Sequence, residues 1–198
     1  MASRNDGDLK DKGRTLWDAL KNKNIDRVER NSIIRELLQN GAPANFREPG
    51  QANTGRTPLH FVVNEIGGDG DLMDMLLKNG ANANLVDFTS GHTPLHLAAE
   101  KNDLLAVKKL IENPNSRADY RKKNNVDETP LQVAERREKQ LVRTYLLKLE
   151  RGETDVHSGG TGVEISFDDA VVKVHADGGN PHIMIGDNTT MNVYRYKR

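Results

Sequence analysis

Apolar residues recur at helical spacing along the first three quarters of the chain. Ile33, Ile34, Leu37 and Leu38 form one stripe, and Met73, Leu76 and Leu77 form a second. Leu104, Val107, Leu110 and Ile111 form a third, and Leu141, Val142, Tyr145, Leu146 and Leu149 a fourth. Steps of three and four residues place each set on one face of a helix. The last three stripes are each preceded by a second helical start: Thr57-Pro58-Leu59, Thr93-Pro94-Leu95 and Thr129-Pro130-Leu131. The threonine hydroxyl can cap the first turn. The proline then sits at the first helical position, where its missing N–H costs nothing. Leu16-Trp17-Asp18-Ala19-Leu20 stands in the corresponding place ahead of the first stripe. Gly80 follows Lys78-Asn79 where a left-handed residue ends a helix, and Asn113 is biased away from helix by Pro114.

The period changes to two near Gly152. Val163, Ile165 and Phe167 alternate with polar residues, as do Val172 and Val174, and Ile183-Met184-Ile185 follows the turn at Asp177-Gly178-Gly179-Asn180-Pro181. Alternation of this kind reads as strand. Leucine is absent from 152 to 198, and seven of the 17 glycines fall there. The chain is therefore expected to be mainly α, with a short β-prone C-terminal tail. Its expected parts are a flexible N-terminus (1–13), a helical domain (14–150), a Gly-rich linker (151–162) and the tail (163–198).

The three threonines of the Thr-Pro-Leu starts are 36 residues apart each time. A fixed period in this range marks a stack of helix–turn–helix units. The stretch Gly91-His92-Thr93-Pro94-Leu95-His96-Leu97-Ala98-Ala99 and its counterparts at 55–63 and 127–134 resemble the ankyrin-repeat family. That resemblance implies a helical solenoid of about four repeats, covering residues 15 to 150. It implies hairpin fingers between repeats that line a concave face for a protein partner. The finger residues it puts forward for partner contact are Arg47, Glu48, Gln51, Asn53, Arg56, Asp87, Phe88, His92, Asn125 and Asp127.

His60 and His96 occupy the same slot of two successive repeats, and Gln132 occupies it in the next. All three side chains hydrogen-bond, so the slot is expected to hold backbone near the fingers rather than a metal or a substrate. Trp17 is expected in the core. His157, His175 and His182 follow no metal-site spacing and are read as solvated polar residues.

The stretch from 183 to 193 carries high β-propensity and one charge, Asp187. Such segments are suited to cross-β assembly. It resembles the RIP homotypic interaction motif (RHIM), which joins signalling proteins through amyloid-like fibrils. Ile183 and Ile185 match the aliphatic pair, Gly186 the glycine, Asn188 follows in place, and Met191 and Val193 stand where later apolar residues occur. Met184 replaces the usual glutamine. The resemblance implies assembly with RHIM-like proteins or with itself, in innate-immune or cell-death signalling.

The 29 basic and 29 acidic residues cancel, so no global field draws nucleic acid. The chain has no cysteine, which removes thiol nucleophiles and Cys-ligated zinc. No stretch reaches the ~20 apolar residues that span a bilayer. No nucleophile–base pair, phosphate loop or metal motif is present. The expected function is that of a non-enzymatic adaptor or regulator without cofactor, in the cytoplasm, with the nucleus left open. The alternative is a plain ankyrin inhibitor or scaffold whose tail folds as an ordinary hairpin.

Overall fold

The computed structural model describes residues 3–50, 54–67 and 69–152, and the backbone of four strands beyond them. The chain divides into two compact units, Met1–Glu153 and Thr154–Arg198. The first holds α1 (Ser3–Lys21), α2 (Arg27–Gln39), α3 (Pro58–Glu65), α4 (Gly70–Lys78), α5 (Pro94–Lys101), α6 (Leu104–Glu112), α7 (Pro130–Arg136) and α8 (Gln140–Glu150). These make four consecutive helix pairs.

Each Thr-Pro start is a helix start, and its cap is reciprocal. The N–H of Thr93 donates to Nδ1 of His96 at 3.2 Å, and Oγ1 of Thr93 accepts from the N–H of His96. The N–H of Thr57 donates to Nδ1 of His60 at 3.2 Å. In the last repeat Gln132 takes the same role, its Oε1 accepting from the N–H of Thr129 at 2.8 Å. A histidine or glutamine three residues past the cap thus satisfies the backbone donor that a helix end leaves open. Asp26, Asp69 and Asp103 cap α2, α4 and α6 with side-chain oxygens.

The stripes face one continuous core. Ile34, Leu72, Met73, Leu76, Leu77, Val107, Leu110 and Leu146 are buried to within about one per cent of complete exclusion of solvent. Trp17 is wholly buried, with its Nε1–H donating to the carbonyl of Phe46 at 2.8 Å and its ring edge-on to Phe61. The buried indole keeps its one polar group satisfied.

Two regions differ from the sequence reading. Within the stretch 1–13, expected to be flexible, the described residues from Ser3 onward are helical, in α1. The anchored turn at Leu16, Trp17 and Leu20 supplies the nucleus, and extending a formed helix adds one hydrogen bond per residue. Lys12 pairs with Asp8 at 2.8 Å, four residues away, which supports the exposed turns. Leu141 does not pack inward; it is 46% exposed at the start of α8, while Val142, Leu146 and Leu149 bury.

Polar side chains tie successive repeats. Asn45 donates to the carbonyl of Gly80 at 2.7 Å and accepts from the N–H of Asn82 at 2.8 Å. Asn84 makes the matching pair of bonds with the Arg117 carbonyl and the Asp119 N–H. On the outer helices Asp69, almost fully buried, receives Nε and Nη2 of Arg27 at 2.7 and 3.0 Å.

The second unit is a four-stranded antiparallel meander, in the order β1 (Gly162–Phe167), β2 (Ala170–Asp177), β3 (Asn180–Gly186), β4 (Met191–Arg195). Ile183 is opposite Val174 on one side and Tyr194 on the other, so β3 is paired along both edges.

Candidate protein-binding face

Three fingers join the repeats, and each is closed at its base by one backbone bond. Glu48 N–H donates to Arg56 O at 2.8 Å, Asp87 N–H to His92 O at 2.9 Å, and Asn124 N–H to Glu128 O at 2.9 Å. The fingers are also bonded to each other. Phe88 N–H donates to Thr54 O at 2.8 Å, and Asn125 N–H to Ser90 O at 3.0 Å. The result is a short ladder running across the repeats, with fixed spacing between neighbouring tips.

The two buried histidines lock this ladder to the helices. Nε2 of His60 donates to the His92 carbonyl, and Nε2 of His96 to the Glu128 carbonyl, each at 3.0 Å. The backbone N–H on Nδ1 and the carbonyl on Nε2 fix one neutral tautomer: Nδ1 accepts and Nε2 carries the proton. Burial, the largest influence, holds both rings down at a pKa of about 4, against the opposing pull of the carbonyl bonds. The expectation that this slot grips backbone near the fingers is met. Gln132 keeps the capping bond, but α7 is followed by no further finger among the described residues, and its side chain is exposed.

Backbone conformation explains where the ladder stops. Gly55, Gly91 and Asp127 are 36 residues apart and all have positive φ, 65°, 67° and 62°. A Cβ on Gly55 would lie 2.3 Å from the Phe88 ring, and one on Gly91 would lie 2.9 Å from the backbone N of Asn125. The next finger approaches too closely for any side chain there. At the third position an aspartate stands, with its side chain 90% exposed.

Six of the finger residues named from sequence divide into two groups. Arg47 is spent inside the protein: it donates to the carbonyls of Gly55 and Val86, the latter at 2.9 Å, and lies 4.3 Å over the Phe88 ring. Glu48 is held by Lys21 and by the hydroxyl of Thr54, both at 2.7 Å. Asp87 is buried and accepts from the N–H and hydroxyl of Ser90. These three shape the fingers from within, because a short loop must satisfy its own backbone before it can meet a partner. Phe88, Asn125 and Asp127 face outward. Gln51 and Asn53 lie outside the described residues, as does Asn188 of the tail. Ile183, Met184, Ile185 and Gly186 fall on β3, and Met191 and Val193 on β4.

Position 92 is the middle of a row. Arg56, His92 and Glu128 stand at 36-residue steps, each just before a helix cap. Arg56 pairs with Glu65 at 3.5 Å, and Glu128 takes Nε and Nη2 of Arg136 at 2.6 and 3.1 Å. Beside them Arg137 pairs with Glu100 at 2.6 Å. The Arg136 bonds hold the Glu128 carboxyl below its ordinary range. Among the described residues His92 has no such ion partner. Its ring is half-buried and stacked on His96, with centroids 5.3 Å apart. Burial lowers its pKa, against carboxylates at Asp87, Glu100 and Glu128 that raise it. Val126, 70% exposed at the tip of the third finger, is not among the finger residues named from sequence. A lone valine between asparagine and aspartate gives no periodic signal.

Comparison with known proteins agrees with this architecture. Residues 66–158 match the family described as ankyrin repeats (3 copies). NF-kappa-B inhibitor alpha of Gallus gallus is 35% identical over 81 residues, 41% of this chain and 23% of that protein. Rabankyrin-5 of Mus musculus is 29% identical over 127 residues, 60% of this chain and 10% of that protein. Dynein axonemal heavy chain 12 of Bos taurus is 43% identical over 75 residues, 38% of this chain and 19% of that protein. The chain thus spans less than a quarter of the length of these relatives.

Proposed function

From the ankyrin repeats that this chain carries, we infer a non-enzymatic protein-binding regulator, whose fingers and adjoining helices α3, α5 and α7 hold a partner protein. Ankyrin repeats are typically an interaction module rather than a catalytic one. The observation that carries the reading is the finger ladder. Its tips are spaced by backbone bonds and locked from beneath by two buried imidazoles, so little conformational freedom is lost when a partner docks. Similarity to NF-kappa-B inhibitor alpha favours an inhibitor as the regulatory mode. No helix among the described residues is long and apolar enough to cross a membrane, and the expected partner is met in the cytoplasm or nucleus. The test is affinity purification of full-length chain against a Phe88→Ser, Val126→Ser double variant of unchanged thermal stability. Proteins retained by the first and lost by the second are the partners; an identical set from both would refute the face.

A second reading gives the tail a role of its own, as an RHIM-like segment that assembles with its like. Its support is the run Ile183, Met184, Ile185, Gly186, Asn188, Met191, Val193, with its low charge and β-branched alternation. Assembly would have to open the meander first, since β3 is already paired on both edges. Full-length chain should then form thioflavin-positive fibrils, and replacing 183–186 by alanine should abolish them. A chain that stays monomeric at high concentration leaves the plain ankyrin inhibitor or scaffold as the function.

A further inference from the structure

The second helices of the first two repeats, α2 and α4, leave a groove of about 720 Å³ between them. It is lined by three cations and two carboxylates. At one end Arg27, at the start of α2, meets Asp69 and Asp71 at the start of α4. Asp71 is 79% exposed and lies 3.2 Å from that guanidinium. Asp74 is held by Lys109 of the next repeat at 2.6 Å. Arg35 and Lys78 stand about two turns further along their helices and close the other end. Both are exposed, and among the described residues neither has a carboxylate partner. Between the two ends lies Asn31, four residues from Arg27 and four from Arg35, on the same face of α2. Asn31 is 8% exposed, its Nδ2 reaches Asp69 at 3.4 Å, and its Oδ1 has no donor. A buried acceptor left without a donor costs stability, and folded proteins keep few of them. This one stands in the lining of a groove, one helical turn from a cation without a partner.

We propose that this groove binds an acidic segment of a partner protein. One Asp or Glu of the segment meets Arg35 and Lys78, and the backbone N–H of the same residue donates to Oδ1 of Asn31. One helical turn is about 5.4 Å, which suits the span from a backbone N–H to the carboxylate of its own acidic side chain. The Asn31 amide can turn to meet the segment, because its bond to Asp69 is long. Asp69 keeps Arg27 and the N–H groups of Asp71 and Leu72 without it. A carboxylate between two cations gains charge-assisted bonds, and the bond to Asn31 fixes which residue of the segment sits there. The site stands on α2 and α4, so it goes beyond the reading of the fingers and does not depend on it.

Randomised peptides displayed on phage test this, panned against the full chain carrying Phe88→Ser and Val126→Ser, which sets the finger tips aside. Enriched peptides are synthesised and their affinities measured by calorimetry. The expected peptides share an Asp or Glu at one position. Replacing Arg35 and Lys78 together by Ala should raise their Kd by about tenfold or more, and added salt should raise it as well. Asn31→Leu should raise the Kd by about tenfold, while the thermal midpoint holds or rises because the orphaned acceptor is gone. N-methylation of the peptide at its acidic residue should weaken binding to a similar extent, with no change to the folded chain. An Asn31→Leu variant that loses stability and keeps its affinity would make Asn31 a structural residue and overturn the proposal. Peptides without an acidic residue, or a panning that enriches nothing, would overturn it too. Inorganic phosphate that binds alone as tightly as the peptides would replace the protein segment by a simple anion. None of these failures touches the finger face, which the unsubstituted Phe88 and Val126 test separately.

Discussion

Nε2 of His60 and the backbone carbonyl of His92 meet at 3.0 Å, across the boundary between two repeats. The same carbonyl accepts the N–H of Asp87, which closes the second finger. One imidazole therefore caps its own helix through Nδ1 and clamps the next finger through Nε2. His96 repeats the arrangement one repeat later with Glu128.

This clamp makes stability depend on pH. His60 and His96 are neutral in the folded protein, with pKa values held at about 4, and titrate near 6.5 when unfolded. Between those values the unfolded chain binds protons that the folded one does not. The stabilisation is complete above pH 6.5, declines as pH falls, and is gone once pH passes below about 4. The decline should approach about 1.4 kcal/mol per pH unit for each histidine. Urea midpoints from pH 7.5 to 4 measure it. His96→Gln, which copies Gln132, should keep the capping bond, lose the reach to Glu128, and flatten part of the slope.

Gly91 and Asp127 should respond in opposite directions to exchange. Gly91→Ala puts a methyl group 2.9 Å from the backbone N of Asn125, at a φ of 67° that alanine resists. A loss of about 2 kcal/mol or more is expected. Asp127→Gly relieves a positive φ of 62°, and should be neutral or stabilising by up to about 1 kcal/mol. Thermal melts of both variants decide the sign.

Asp69 joins two repeats and caps α4. Its carboxylate is buried and receives Arg27 through two nitrogens, besides the N–H groups of Asp71 and Leu72. Asp69→Ala removes the cap and the bridge together, for an expected loss of about 2 kcal/mol. Amide exchange should rise first in α2 and α4 and least in α5–α8. Uniform exchange along the stack would show that this junction is not the weak point.

Arg47 and Phe88 should separate folding from binding. Arg47→Ala leaves the carbonyls of Gly55 and Val86 without their donor and should lower stability by about 1–2 kcal/mol. Phe88→Ser should change stability by less than about 1 kcal/mol, because the ring is 54% exposed. The larger loss of partner affinity should come from Phe88.

The amino-acid pattern alone settled the helical repeats. Thr57, Thr93 and Thr129 announce helix starts through local chemistry, since a hydroxyl cap and a proline act within one turn. The stripes at Met73, Leu76 and Leu77 or Val107, Leu110 and Ile111 name their buried face because helical period and apolar spacing coincide. The histidine slot was also legible, because repetition at 36 residues turns a coincidence into a rule.

Tertiary structure decided which finger residues look outward. Arg47, Glu48 and Asp87 carry the charges of partner-contact residues, yet they turn inward: the Val86 carbonyl and Lys21 lie where only the folded stack can bring them, and Ser90 closes on Asp87 within its own finger. Val126 stands at a tip for the opposite reason: the carbonyl that spaces its finger, Ser90 O, belongs to the repeat before. Helix identity depends on neighbours a few residues away and can be read in line. The use of a side chain at a junction depends as well on groups in other repeats, such as Val86 for Arg47 and Lys21 for Glu48, which only packing brings within reach.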